Sequence, residues 1–255
     1  MGKKFSYVLL LALLAAVCAE SLPAQTQKPR LYVKFSGNAV FSSAGDFGDF
    51  VDKNDPAATA RSFFRGYGGE IGLEMKKHSV GIGAGYMERY LDIGSLSGAG
   101  AGTNVFTRRS FSAVPIFLFI RYKLVNGSFF KASLTLGEGV YLATYKEKTA
   151  DTVLLKSKKN NLGFHGGVAV DLNIFKFLAV FVDAGYRLVS FKEMKGKDYR
   201  TSGAPLEGDF YYQANEATGQ YGFFIKQPKK TVPGSRLAVL NLNGFALSAG
   251  MKIIF

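Results

Sequence analysis

The chain has 255 residues, of which 47% are hydrophobic, 14% aromatic and only 20% charged, with 30 glycines and 7 prolines. Such a composition excludes an intrinsically disordered chain and a collagen-like one. The formal net charge is +13. Beyond residue 20 there is no apolar run of about 18 residues, so membrane-spanning helices are excluded and any crossing must be made by strands.

Lys3 and Lys4, followed by the uncharged apolar stretch from Phe5 to Ala19, have the layout of a secretory signal peptide. Small residues allow cleavage after Ala19 or after Ala24, which sets residues 1–24 apart from a single working domain over 25–255. Cys18, the one cysteine, lies in the signal, so no disulfide framework is expected in the mature chain.

From Leu31 onward the dominant period is two, the mark of a strand with unlike faces. Leu31, Val33, Phe35, Ala39 and Phe41 alternate with Tyr32, Lys34, Ser36 and Asn38. The next segments are Tyr67 to Met75, Val80 to Tyr86, Ala113 to Tyr122, Phe129 to Tyr145, Leu162 to Ile174 and Leu178 to Leu188, and the last is Phe245 to Phe255. The connections alternate in length. Those at 76–78, 124–128 and 175–177 are short, and those at 42–63, 91–110, 146–161 and 192–239 are long. An even number of strands, short turns at one end and long loops at the other is the plan of an up-and-down antiparallel barrel that spans an outer membrane, here with eight strands. A ten-strand barrel is the alternative, because Phe210, Tyr212, Tyr221, Phe223 and Ile225 can pair as a hairpin within the last loop.

Period alone does not say which face points outward, since a soluble barrel would put the same apolar residues inside. Volume decides for the membrane reading: an eight-stranded barrel is just filled by side chains, and the glycine-rich face fits there better than the bulky one. Aromatics also gather at both ends, with Phe41, Phe64, Tyr90, Phe111, Tyr145, Phe164 and Phe191 near the long loops and Tyr122, Phe130, Phe175, Phe177 and Phe255 near the turns. Two residues strain the pattern. Pro115 lies inside a strand and predicts a bulge. Glu138 shares the parity of Leu134, Leu136 and Val140, so it lies near the outer interface or is turned inward by a bulge at Gly137 or Gly139.

With its signal peptide, eight alternating strands and a last strand ending on Phe255, the chain resembles the small outer-membrane β-barrels typified by OmpX, OmpW and the transmembrane domain of OmpA. The resemblance implies that Phe245, Leu247, Met251, Ile253 and Phe255 are similar to the signal read by the barrel-insertion machinery. It implies an integral location in the outer membrane of a Gram-negative-type bacterium, and it leaves the activity open, because a fold hosts many functions.

The predicted lumen carries Lys34, Glu70, Glu74, Arg121, Lys131, Asp171, Asp183, Arg187 and Lys252. Mixed charges in a narrow lumen predict a salt-bridged plug rather than an ion path. Inward glycines at 81, 83 and 85 are expected opposite Phe117 and Phe119, filling it further. Neither Gly81 to Gly85 nor Gly98 to Gly102 is a nucleotide loop, and no cofactor or metal motif is present. Asp46, Asp49, Asp52 and Asp55 recur every third residue and read as a solvated acidic loop rather than a calcium site, the alternative being that Asp55-Pro56 caps a short helix through Ala60. Of the two histidines, His78 sits in a turn and reads as solvated. His165 points inward and could act as the general base of a lipid-modifying acyl hydrolase, which would also need a nearby serine and acid.

The long loops are basic, with Lys156, Lys158 and Lys159 in the third and Lys229 and Lys230 in the fourth. For such a barrel the natural anionic partner is lipopolysaccharide phosphate, not nucleic acid. The expectation is a non-catalytic, monomeric barrel with a filled lumen, acting through its surface loops. The competing expectation is a narrow OmpW-like pore for small or hydrophobic solutes.

Overall fold

A computed structural model of the chain describes residues 28–54, 63–95, 105–150, 152–200, 203–215, 220–226 and 234–255. The signal segment, the Asp55 to Ala60 cap, Gly98 to Gly102, Lys229 and Lys230 lie outside the described residues. The strands in chain order are β1 (Arg30–Ser42), β2 (Phe63–Glu74), β3 (His78–Ser95), β4 (Val105–Asn126), β5 (Phe130–Thr149), β6 (Thr152–Phe175) and β7 (Leu178–Leu188), with one helix, α1 (Asp46–Asn54), between the first two. They continue as β8 (Ser190–Phe191), β9 (Lys195–Asp198), β10 (Leu206–Asn215), β11 (Gln220–Lys226), β12 (Ser235–Leu237), β13 (Leu240–Asn241) and β14 (Gly244–Ile254).

Strands β1 to β7 pair with their neighbours in antiparallel order, β7 pairs with β14, and β14 pairs back onto β1. The result is a closed eight-stranded ring with no free edge in the wall, as a β-structure in lipid requires. The closing seam runs unbroken from Tyr32 opposite Ile254 to Ser42 opposite Gly244. Alternation then sorts the faces. Phe35, Ile71, Ile82, Leu118, Leu136, Val182 and Met251 are exposed on the outside, while Lys34, Glu74, Arg121, Lys131, Asp171 and Lys252 are buried inside.

Beyond the apolar band the wall continues as an extension. The described parts of two expected long loops are largely strand: β3 and β4 stay paired to Ser95 opposite Val105, and β5 and β6 to Thr149 opposite Thr152. The last connection forms the expected hairpin, with Phe210 opposite Ile225 and Tyr212 opposite Phe223. This hairpin joins β9, which lies on the upper part of β6, so the barrel has eight strands and not ten.

The helix α1 is the segment whose aspartates suggest a solvated acidic loop in the sequence. Gly45, at a φ of 62°, turns the chain into it, and its carbonyl accepts from the amides of Gly48 and Asp49. Phe47, Phe50 and Val51 stand at helical spacing and are buried. They join Phe64, Phe111, Tyr145, Phe191, Phe210 and Phe223 in one apolar core across the outer mouth. Four residues assigned to the outer aromatic belt, Phe64, Phe111, Tyr145 and Phe191, are therefore inside this cap, because the inward parity of the strands persists above the membrane. The belt at that level is Phe41, Phe63, Phe164 and Phe245, with Phe41 packed between Phe63 and Phe245 at 5.6 and 6.4 Å. At the turn end Tyr122, Phe130, Phe175, Phe177 and Phe255 are all exposed, as expected.

The register runs through Pro115 and Glu138 without a bulge. Between β3 and β4 the ladder skips the pairs that Gly85 and Tyr86 would make with Pro115 and Val114, then resumes in the same register. Pro115 remains opposite Tyr141 on β5. A proline lacks its donor on one side only, so one ladder opens and the other keeps its alignment. Glu138 pairs in register with Leu118 and Phe164, keeps its outward parity, and is covered to 4% exposure.

Candidate functional site: the filled lumen and the basic outer rim

Glycine on one strand makes room for bulk on the next. Gly81 and Gly83 of β3 lie opposite Phe119 and Phe117 of β4, and a Cβ on either glycine would overlap those rings. Below the rings the lumen is held by ion pairs. Arg121 donates to both oxygens of Glu70 at 2.8 and 2.9 Å, to the Tyr32 hydroxyl at 3.0 Å and to Thr135 at 3.1 Å. Lys34 lies between Asp171 at 3.6 Å and Asp183 at 3.4 Å, with Phe181 under its ammonium at 3.8 Å. Lys252 bridges Asp171 at 2.8 Å and Glu74 at 2.6 Å. Glu74 also takes Lys131 at 2.6 Å and Lys123 at 3.0 Å.

Eight of the nine predicted lumen charges are thus drawn into one network. Arg187 is the exception. Its partner among the described residues is the Met87 thioether, at 3.5 Å, because β7 carries it above the carboxylates to the base of the apolar cap. Lys123 is a member that the sequence does not announce, since it stands at the end of its alternating run. It keeps the inward parity of Phe119 and Arg121, stands in the same register opposite Ser133 and so reaches Glu74, and the register shift of β4 comes only after it.

Between the network and the cap lies a cavity of about 70 Å³ lined by His165, Phe117, Tyr141, Arg187 and Ser248, among others. It holds a few water molecules at most. His165 packs its ring on Phe117 at 4.7 Å and fills the space left by Gly137. Ser248 and Asp183 line the same cavity, but His165 makes no hydrogen bond to either. His78, at the other end, packs against Tyr122 at 5.3 Å.

The cap is clamped from the side. Asp46, in the first turn of α1, accepts from Arg236 and from the Val239 amide, both at 2.6 Å. On the extension, burial raises the Asp198 carboxyl, but the hydrogen bonds from Arg200 outweigh it and hold the group below the usual carboxylate range.

The outer face of the extension is a lattice of lysines. In register across β5, β6 and β9 stand Lys146, Lys156 and Lys197, and one rung nearer the apolar band Thr144, Lys158 and Lys195. Lys197 pairs with Glu207. Lys146, Lys156, Lys158 and Lys195 have no ion pair among the described residues. Like charges on facing strands repel, and the nearness of Lys158 lowers the pKa of Lys156 below the usual lysine value. Lys159, grouped with these in sequence, has the opposite parity and reaches the Glu193 carbonyl instead.

No protein-family model matches the chain, and no curated protein matches it in sequence. Solved structures do resemble it. A major outer-membrane protein from Thermus thermophilus is 13% identical over 88% of this chain and 99% of that one, with a TM-score of 0.50. OprG, an outer-membrane protein of Pseudomonas aeruginosa, is 14% identical over 90% and 97%, also with a TM-score of 0.50. The fold is that of the small outer-membrane β-barrels, and the apolar belt between the two aromatic rims is the surface such a barrel turns to lipid.

Proposed function

We propose that this chain is an integral outer-membrane barrel with a structural, non-catalytic role, closed to solutes and bound through its basic outer rim to the phosphates of the surrounding outer-leaflet lipopolysaccharide. The observation that carries the reading is the register of Lys158 with Lys195 and of Lys146 with Lys156, one and two rungs above the rung where outward Leu142 faces Asn160. That is the height of headgroups, and repeated ammoniums facing sideways suit phosphates lying in the membrane plane. A lumen filled by ion pairs below and by a hydrocarbon cap above supports the closed state. An acyl hydrolase is disfavoured because His165 has no serine or carboxylate hydrogen-bonded to it. In the same reading, the outward residues Phe245, Leu247, Met251, Ile253 and Phe255 serve the insertion machinery during biogenesis.

The test is to reconstitute the protein in nanodiscs with and without lipopolysaccharide and compare thermal unfolding. Stabilisation by lipopolysaccharide that disappears in a Lys146→Gln, Lys156→Gln, Lys158→Gln triple variant is expected; equal stabilisation of parent and variant would sink the rim reading. The narrow pore is the second reading, and the two-residue break in the β3–β4 ladder beside Gly85 and Pro115 favours it. Discrete conductance steps in a planar bilayer would decide for the pore, and a silent, folded barrel for the closed reading.

A further inference from the structure

At the end of the barrel opposite the cap, the short turns surround an open vestibule of about 800 Å³. Six cationic side chains line it, Lys28, Arg30, Lys76, Lys123, Lys131 and Lys176, against a single carboxylate, Glu74. Glu74 is already spent. It is 4% exposed at the vestibule floor and is shared by Lys123, Lys131 and Lys252, with Arg30 a further 3.9 Å away.

The donors at that floor outnumber their acceptors. An ammonium has three protons to give. Lys123 uses two, on Glu74 and on the Met75 carbonyl at 2.5 Å, and Lys131 uses one, on Glu74. Both side chains are more than nine-tenths buried, where unspent donors and surplus positive charge are costly. The rim is built rather than loose. The Asn126 amide donates to the Lys76 carbonyl at 2.9 Å and the Asn173 amide to the Ser128 carbonyl at 2.6 Å, tying the turns together around the opening.

We propose that this vestibule is a binding site for a soluble anion carrying a phosphate group, which takes the free donors of Lys123 and Lys131 at the floor and the charges of Lys28, Lys76 and Lys176 at the rim. Phosphate suits the site better than a single carboxylate, because it brings up to two charges and three acceptors to a cluster of point-like ammoniums. The vestibule opens along the barrel axis to the aqueous side, so the ligand arrives from water and not from the bilayer. The site is independent of the lysine rungs at the opposite end.

The experiment is a calorimetric titration of pyrophosphate, at low ionic strength, into the refolded protein in zwitterionic micelles, with the shift between boiled and unboiled samples on a gel as the check of folding. One saturable site is expected. Its affinity should fall at least tenfold in Lys123→Gln/Lys131→Gln and about threefold in Lys76→Gln/Lys176→Gln, which alters exposed turn residues only and keeps the floor intact. Lys156→Gln/Lys158→Gln should leave it within twofold. A folded parent without saturable heat, or an affinity that follows the outer lysines and ignores both vestibule pairs, would overturn the proposal. A parallel arm uses vesicles containing phosphatidic acid: if the vestibule variants lose vesicle binding while pyrophosphate binding is unchanged or absent, the phosphate is a lipid headgroup and the soluble ligand is wrong.

Discussion

The two halves of the lumen solve one filling problem in opposite ways. Below Phe117 and Phe119 the space is occupied by charges from facing strands, with Arg121, Lys34 and Lys252 locked to Glu70, Asp171, Asp183 and Glu74. Above Tyr141 it is occupied by hydrocarbon, much of it brought by α1 and by the β10–β11 hairpin rather than by the wall. The lower half has only strand residues to draw on, so long charged side chains must reach across and meet. The upper half has loops to spend and fills chiefly with their apolar side chains, with ion pairs such as Asp46–Arg236 and Arg109–Glu147 standing beside that core. The difference lies in how each half fails: an ion network collapses when one member is lost, whereas an apolar core loses stability in proportion to what is removed.

Substitution should expose that contrast most strongly at Arg121. Arg121→Leu leaves Glu70 buried without its partner, and about 3–5 kcal/mol of stability should be lost in urea titrations followed by the gel shift. Adding Glu70→Leu should recover most of it; a double variant no better than the single one would mean that the network is not a closed set of pairs. In the cap, Phe47→Ala should cost about 3 kcal/mol of unfolding free energy through the cavity it opens, and no second substitution nearby should restore it. The effect should be readable as faster proteolysis of the extension while the barrel keeps its gel shift.

A smaller effect is expected from acid. Asp198 has a folded pKa below its unfolded value near 3.9, so its pairing with Arg200 contributes in full above about pH 4. The contribution disappears as pH falls through the lower folded value. Parent and Arg200→Ala should therefore differ in cap proteolysis at pH 6, and the gap should narrow steadily as pH is lowered below about 4; a gap unchanged by pH would remove the ion pair from the account. Smallest of all, Lys156→Gln should leave stability within about 0.5 kcal/mol of the parent, on a surface where like charges meet.

Much of the lower half was legible in the sequence because period two carries through every wall strand, and Gly81 and Gly83 could be set against Phe119 and Phe117 from spacing alone. The upper half was less so. Phe64, Phe111 and Tyr145 have the same inward parity as Arg121, but near a membrane rim an aromatic reads as a belt residue unless something is known to cover it. The cover comes from distant segments. Phe47, Phe50 and Val51 did carry a helical period, hidden by the more obvious one-in-three aspartates. Pro115 announced a missing donor, yet not that the wall would absorb it by skipping two pairs. The lysine rungs depend on cross-strand register between β6 and β9, which no local pattern contains.

The seam between β1 and β14 also bears on how the barrel forms. Pairs from β1 through β7 join strands that follow one another in the chain, whereas the seam joins its two ends, the contact with the greatest loop-closure cost and the natural last step. Lys34 and Lys252 face each other across that seam, and both reach Asp171 of β6. A slip of one residue would turn Lys252 toward lipid and bring Met251 inside. The lumen charges therefore act as a proofreader of closure, rewarding the single alignment in which the first strand and the last agree.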